Sequence, residues 1–181
     1  YSKLAHSKWD VFETTATALN SKIRFDGKAG VDTAQIGDDG EKLVYQYERT
    51  RISSVNPRWA DKVKIVGGTR GLGYDVHSIH GDGASPSRAV HIEVKSTKRK
   101  TIPEHIEDSV MLTRNEWQAA EQYGADYWIY RVYLTSEGAF VFPIKDVKGK
   151  ADEKAIFVEA MEYRVDFSGT KDSLLLIGQE G

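Results

Sequence analysis

The chain has no cysteine, which excludes disulfides and thiolate metal sites and leaves the redox compartment undetermined. Neither sign of charge dominates. The 25 lysines and arginines against 27 aspartates and glutamates leave a net charge of −2, so no overall basic field advertises nucleic acid. Any binding of a polyanion must come from a local patch. The longest apolar runs are far too short to span a bilayer. No signal peptide is visible, so an intracellular, cytoplasmic location is the default expectation. Internal repeats and low-complexity tracts are lacking too. The first residue is Tyr1 rather than Met, which reads as a fragment of something larger.

What remains is an ordinary globular composition, 40% hydrophobic and 29% charged, in 181 residues. That length supports one well-buried core. Leu4 to Leu19 has helical spacing at Trp9, Phe12 and Ala16, and Asn20 to Asp32 reads as a linker. A second helix is expected from about Asp38 to Ser53, with Leu43, Val44 and Tyr47 inward and Asn56-Pro57 as its stop. Short strands are expected at Lys62–Val66, Gly73–Ile79 and Ala89–Ser96, the last two as an antiparallel hairpin. Lys98 to Val110 reads as a polar loop. Thr113 and Glu116 have the spacing of a capping box, and Gly124 ends the helix they begin. Tyr127–Leu134 is apolar enough for a sheet interior, and Phe140–Phe142 pairs with it. Tyr163–Phe167 and Leu174–Ile177 read as a final hairpin. The sum is a mixed α/β or α+β domain, a central sheet with flanking helices.

One strand carries the chemistry. Side chains alternate across a strand, so Val90, Ile92 and Val94 share an apolar face while His91, Glu93 and Lys95 share a polar one. Aspartate is depleted in strands, yet Asp75 falls where a strand interior is expected. If the two strands are neighbours, Asp75, Glu93 and Lys95 converge. Two acids suit a hard divalent ion, and an ammonium beside them suits an attacking water or a phosphate oxygen. Asp75 and Glu93 would be anionic ligands, with the backbone carbonyl of Val94 as a neutral one. The ordinary alternative is a solvated strand face whose ion pair is worth about 0–1 kcal/mol.

The pattern resembles the PD-(D/E)xK nuclease superfamily, with Asp75 as the lone acid and Glu93-Val94-Lys95 as the E-x-K element. Tyr74 stands where that motif has proline. Five blocks in order extend the likeness: Gly37-Asp38-Asp39-Gly40-Glu41, Gly73-Tyr74-Asp75, Ile92 to Thr97, Leu112 to Trp117, and Tyr127 to Val132. Together they are similar to the domain at the C-terminus of the plant NO VEIN protein and its bacterial relatives, over about Ile36 to Leu134. The resemblance implies a restriction-endonuclease-like core in residues 36–181, preceded by an N-terminal helix and linker in 1–35. It implies a Mg²⁺-dependent deoxyribonuclease, with Mn²⁺ able to substitute, acting as the cleavage module of a restriction or phage-defence protein. Double-stranded DNA, other domains of a larger parent chain and a second copy in a homodimer are the expected partners. A nuclease-fold module without turnover, kept for nucleic-acid binding or protein interaction, is the alternative.

The resemblance also gives Glu41 a role as a helix acid at the metal site. On spacing alone Glu41 is the third residue of a helix capped by Asp38. Glu48, seven residues on, shares that face and reads as a solvated charge. Lys98, Arg99 and Lys100 follow the catalytic strand, and Arg114 and Asn115 open the third helix. All five are candidate contacts to the nucleic-acid backbone. Glu116 is explained by its cap alone. The aromatics Trp117, Tyr127, Trp128, Tyr130 and Tyr133 are most simply packing. His77 and His91 stay outside the site, and no third ligand with zinc spacing accompanies His77 and His80.

Overall fold

A computed structural model describes residues 33–102, 104 and 106–159. The expected first helix and the final hairpin lie outside the described residues. Helix α1 spans Thr33–Val55 and leads into a 3-10 turn, Pro57–Lys62. Strands β1 (Lys64–Ile65), β2 (Val76–Ile79) and β3 (Ala89–Lys98) follow. Helix α2 (Arg114–Tyr123), β4 (Tyr127–Leu134), β5 (Ala139–Lys145) and the short helix α3 (Val147–Asp152) complete the order. This is the α+β arrangement expected, a five-stranded mixed sheet with helices on both faces.

The sheet runs β1-β2-β3-β4-β5. The β3/β4 pair is parallel, and the other neighbours are antiparallel. A parallel pair cannot be joined by a tight turn. The chain therefore leaves β3, crosses through α2 and returns as β4. Each face takes alternate residues. Val90, Ile92, Val94, Trp128, Tyr130 and Val132 pack with Leu43, Val44 and Ile52 of α1. On the other face Tyr127 and Ile129 pack with Ala119 and Ala120 of α2 and Val147 of α3. Each fully buried aliphatic side chain, Ile92 for example, contributes roughly 1.5–3 kcal/mol.

Glycine inside a helix costs about 1 kcal/mol against alanine, so Gly40 needs a reason. A Cβ there would lie 1.7 Å from Ser96 Oγ and 2.9 Å from Ser96 Cβ. The bare glycine lets α1 lie close against β3. That contact sets the height of the next residue, Glu41, above the sheet.

Two expectations need correction. Helix α1 (Thr33–Val55) is already helical five residues before Asp38, so Glu41 is not the third residue of an Asp38 cap. Glu48 is not solvated, being fully buried at 0% exposure. Its Oε1 accepts from Arg51 Nε at 3.0 Å and from the Tyr130 hydroxyl at 3.0 Å. Its Oε2 accepts from Arg51 Nη2 at 2.6 Å and from Ser78 Oγ at 2.5 Å. Arg51 also donates to the carbonyls of Ile79 and His80, at 2.7 and 2.6 Å. The charge is tolerated because each carboxylate oxygen has a donor and the counter-ion is bidentate. The network ties α1 to the end of β2.

Candidate functional site

Strand β2 stops short of its partner, and the site occupies the gap. The β2/β3 register pairs Val76 with Ile92. One residue earlier, the Asp75 amide still donates to the Ile92 carbonyl at 2.9 Å. The Asp75 carbonyl accepts from the amides of Val66 and Gly67, at 2.7 and 3.1 Å. Continued pairing would supply a backbone acceptor for the Val94 amide. The chain instead turns away through Gly73, whose φ is +69°. A side chain fills the vacancy, for Val94 N–H donates to Asp75 Oδ2 at 2.8 Å. Asp75 thus sits one residue before β2 rather than in a strand interior, and its carboxylate lies at the sheet's edge.

Acids approach that carboxylate from both sides. On the α1 side, a Cβ on Gly67 would lie 2.8 Å from Asp75 Oδ1 and 3.0 Å from Glu41 Oε2, so the two carboxylates are neighbours around one glycine. On the α2 side stand Glu93 and Glu116. Lys95 Nζ lies between them, 2.7 Å from Glu93 Oε1 and 2.8 Å from Glu116 Oε2. Asp75, Glu93 and Lys95 therefore converge as the alternation of β3 requires. Glu41 joins them through Asp75, from the opposite face.

The electrostatics follow from crowding. Burial and then Asp75 push the Glu93 carboxyl up to about 8. Burial and then Asp75 push Glu41 up to about 7. Burial also raises Asp75, against the Val94 hydrogen bond, which favours its charged form. Burial opposes the charge on Lys95, but Glu93 and Glu116 outweigh it and hold its pKa above the ordinary lysine value. Four acids share one ammonium, so the cluster carries an excess of negative charge.

A cleft of about 230 Å³ opens over this cluster. Asp75 and Glu93 line it, with the glycine-rich loop of residues 67–73 on one side and Thr113, Asn115 and Glu116 at the start of α2 on the other. The loop and helix touch closely, since a Cβ on Gly73 would lie 2.5 Å from the Asn115 carbonyl oxygen. Glu116 has two roles. It completes the capping box, accepting from Thr113 N at 2.9 Å while its own amide donates to Thr113 Oγ1 at 3.3 Å. The same Oε2 also receives Lys95.

The nucleic-acid candidates separate. Asn115 lines the cleft, and Arg114 is exposed beside it without lining it. None of Lys98, Arg99 and Lys100 lines it. Lys98 ends β3 about 10 Å beyond Lys95 at strand rise. Arg99 pairs with Asp108 at 3.1 Å and lies over the Tyr133 ring. Asp108 also holds Arg131 and Tyr133, both at 2.9 Å. The basic run therefore anchors the crossover loop at Arg99 rather than flanking the cleft. Arg70 is the basic residue that does line it. The signal for Arg70 was its place in a glycine-rich stretch directly before Asp75.

Among the described residues, no three histidine, aspartate or glutamate groups are drawn together as a ready-made metal shell. Three acids line the cleft, Asp75 and Glu93 on the sheet side and Glu116, already bound to Lys95 and the Thr113 amide, on the α2 side. The sheet-side pair suits Mg²⁺, which binds through one or two carboxylates and retains several waters. The donors are hard oxygens, and the excess negative charge favours a cation.

No helix among the described residues is long and apolar enough to cross a membrane. No curated protein and no solved structure matches the chain. A family model described as "Protein NO VEIN, C-terminal" matches residues 40–144, from the glycine beneath Glu41 through β5, and so takes in every side chain of the acid cluster. With more than half of its length inside that match, the chain belongs to the NO VEIN C-terminal domain family.

Proposed function

We propose that this domain is a divalent-cation-dependent nuclease module that hydrolyses DNA phosphodiester bonds. The observation that carries the reading is that Asp75 and Glu93 line a cleft where β2 leaves β3, with Lys95 held against Glu93 just behind its wall. Asp75 and Glu93 would hold Mg²⁺ or Mn²⁺, with the Val94 carbonyl as a neutral ligand. The bound cation would supply charge stabilisation at the phosphate oxygens and a more acidic water. Lys95, kept protonated by two carboxylates, acts as a fixed positive charge and donor to the attacking water rather than as a base. Glu41 supports Asp75 from the α1 side. Arg70, Arg114 and Asn115 border the cleft mouth and suit phosphate contacts. Duplex DNA as substrate, a restriction or phage-defence setting, a larger intracellular parent chain and a homodimer for double-strand cuts all belong to this reading.

The test is cleavage of plasmid and linear DNA, modified and unmodified, with Mg²⁺ or Mn²⁺. Wild type should cut. Asp75→Ala and Lys95→Met should fold and lose at least about 10²-fold in rate, the scale of removing one preorganised electrostatic contact. A second reading, a module without turnover, is favoured by the closed Lys95–Glu93 pair and by Arg99 being tied to Asp108. DNA binding without cutting under any metal would select it.

A further inference from the structure

We propose that Glu116 is a positioning residue, which keeps Lys95 beside the cleft when Glu93 is given over to a cation. The inference rests on the metal-dependent reading above and deepens it. Lys95 Nζ lies 2.7 Å from Glu93 Oε1, so the ammonium occupies a carboxylate that a cation would use. With Glu93 as its sole partner, Lys95 would have two options on cation binding. It would compete for Glu93, or it would swing away on its flexible four-carbon stem. Glu116 provides a third option, a second carboxylate 2.8 Å from the same Nζ.

Glu116 is fit for this because it is fixed independently of Lys95. Its Oε2 accepts from the Thr113 amide at 2.9 Å, so the start of α2 holds the carboxylate in place. The two acids come from different elements, β3 and α2, and Lys95 bridges them. The helix start alone does not demand a charge. Glutamine closes a capping box as glutamate does. A neutral glutamine would serve the cap, whereas a carboxylate serves the cap and the ammonium together. Without Glu116, Lys95 would remain the competitor of whatever cation Glu93 binds.

The test is Mn²⁺ titration of the full chain by calorimetry, on wild type, Glu116→Gln, Lys95→Met and the double variant. Glutamine keeps the cap, and melting curves check that all four fold. Glu116→Gln should weaken Mn²⁺ binding about tenfold while Lys95 is present, because the ammonium then stays on Glu93. In the Lys95→Met background the same change should cost at most about threefold, the remainder being lost charge. Equal losses in both backgrounds would mean that Glu116 acts on the cation directly, and would overturn the proposal while leaving the metal site standing. No loss in either background would overturn it as well. Absence of Mn²⁺ binding in all four proteins would overturn the metal reading and this inference with it.

Discussion

Replacing Asp75 with asparagine should flatten the pH dependence of folding stability in the metal-free protein. Glu93 and Glu41 are held near 8 and 7, both above the ordinary carboxylate value of 4.5. A carboxyl raised in the folded state binds more protons folded than unfolded. Its contribution is therefore greatest at low pH and is lost as pH rises through the folded value. Each extra proton is worth 1.36 kcal/mol per pH unit. Allowing for the coupling of these acids to Asp75 and for solvent screening of the half-exposed Glu41, wild type should lose on the order of 2 kcal/mol between pH 6 and pH 8, most of it from Glu93. Asp75 is the second cause of both shifts after burial. Its neutralisation should reduce the loss to about half, since burial persists. Asparagine retains an oxygen for the Val94 amide, so the sheet edge stays satisfied. Urea denaturation in chelator at pH 6, 7 and 8 measures both slopes. A wild-type stability that rises over this range, or an Asp75→Asn slope as steep as wild type, would refute the account.

Glu48→Ala should destabilise by about 3–5 kcal/mol in denaturant titration, because it strands the half-buried Arg51 and frees Ser78 and Tyr130. Gly40→Ala should cost about 1–3 kcal/mol through its collision with Ser96, and Ser96→Ala should recover part of that by removing the nearer atom. Arg70→Ala should lower DNA affinity and reduce the salt slope of binding by about one, whereas Arg99→Ala should leave that slope unchanged and lower the melting temperature instead.

The alternation of residues 90–95 already separated a core face from a polar one, and the structure keeps that division. The capping box was legible because both partners lie within four residues. The second bond of Glu116 was not, since no spacing rule says which strand its carboxylate will meet, and its partner Lys95 lies 21 residues back. Glu48 was misread for a related reason. Its heptad relation to Glu41 said that the two share a face, but not that this face lies under Tyr130 and Ser78. The basic run following β3 suggested a neighbouring phosphate, yet its middle member is claimed by Asp108 from the far end of the loop. Local periodicity predicts which side a residue takes. Partners across the sheet come only with the tertiary fold.

The cleft has walls from three separate stretches: the loop ending at Asp75, the middle of β3, and the opening turn of α2. None of these is adjacent in sequence to another, and the parallel pairing of β3 with β4 spans the crossover that contains α2. Contacts of such long separation form slowly and together. A partly synthesised chain would have the acids without the enclosure, so the cleft exists only once all three stretches have assembled.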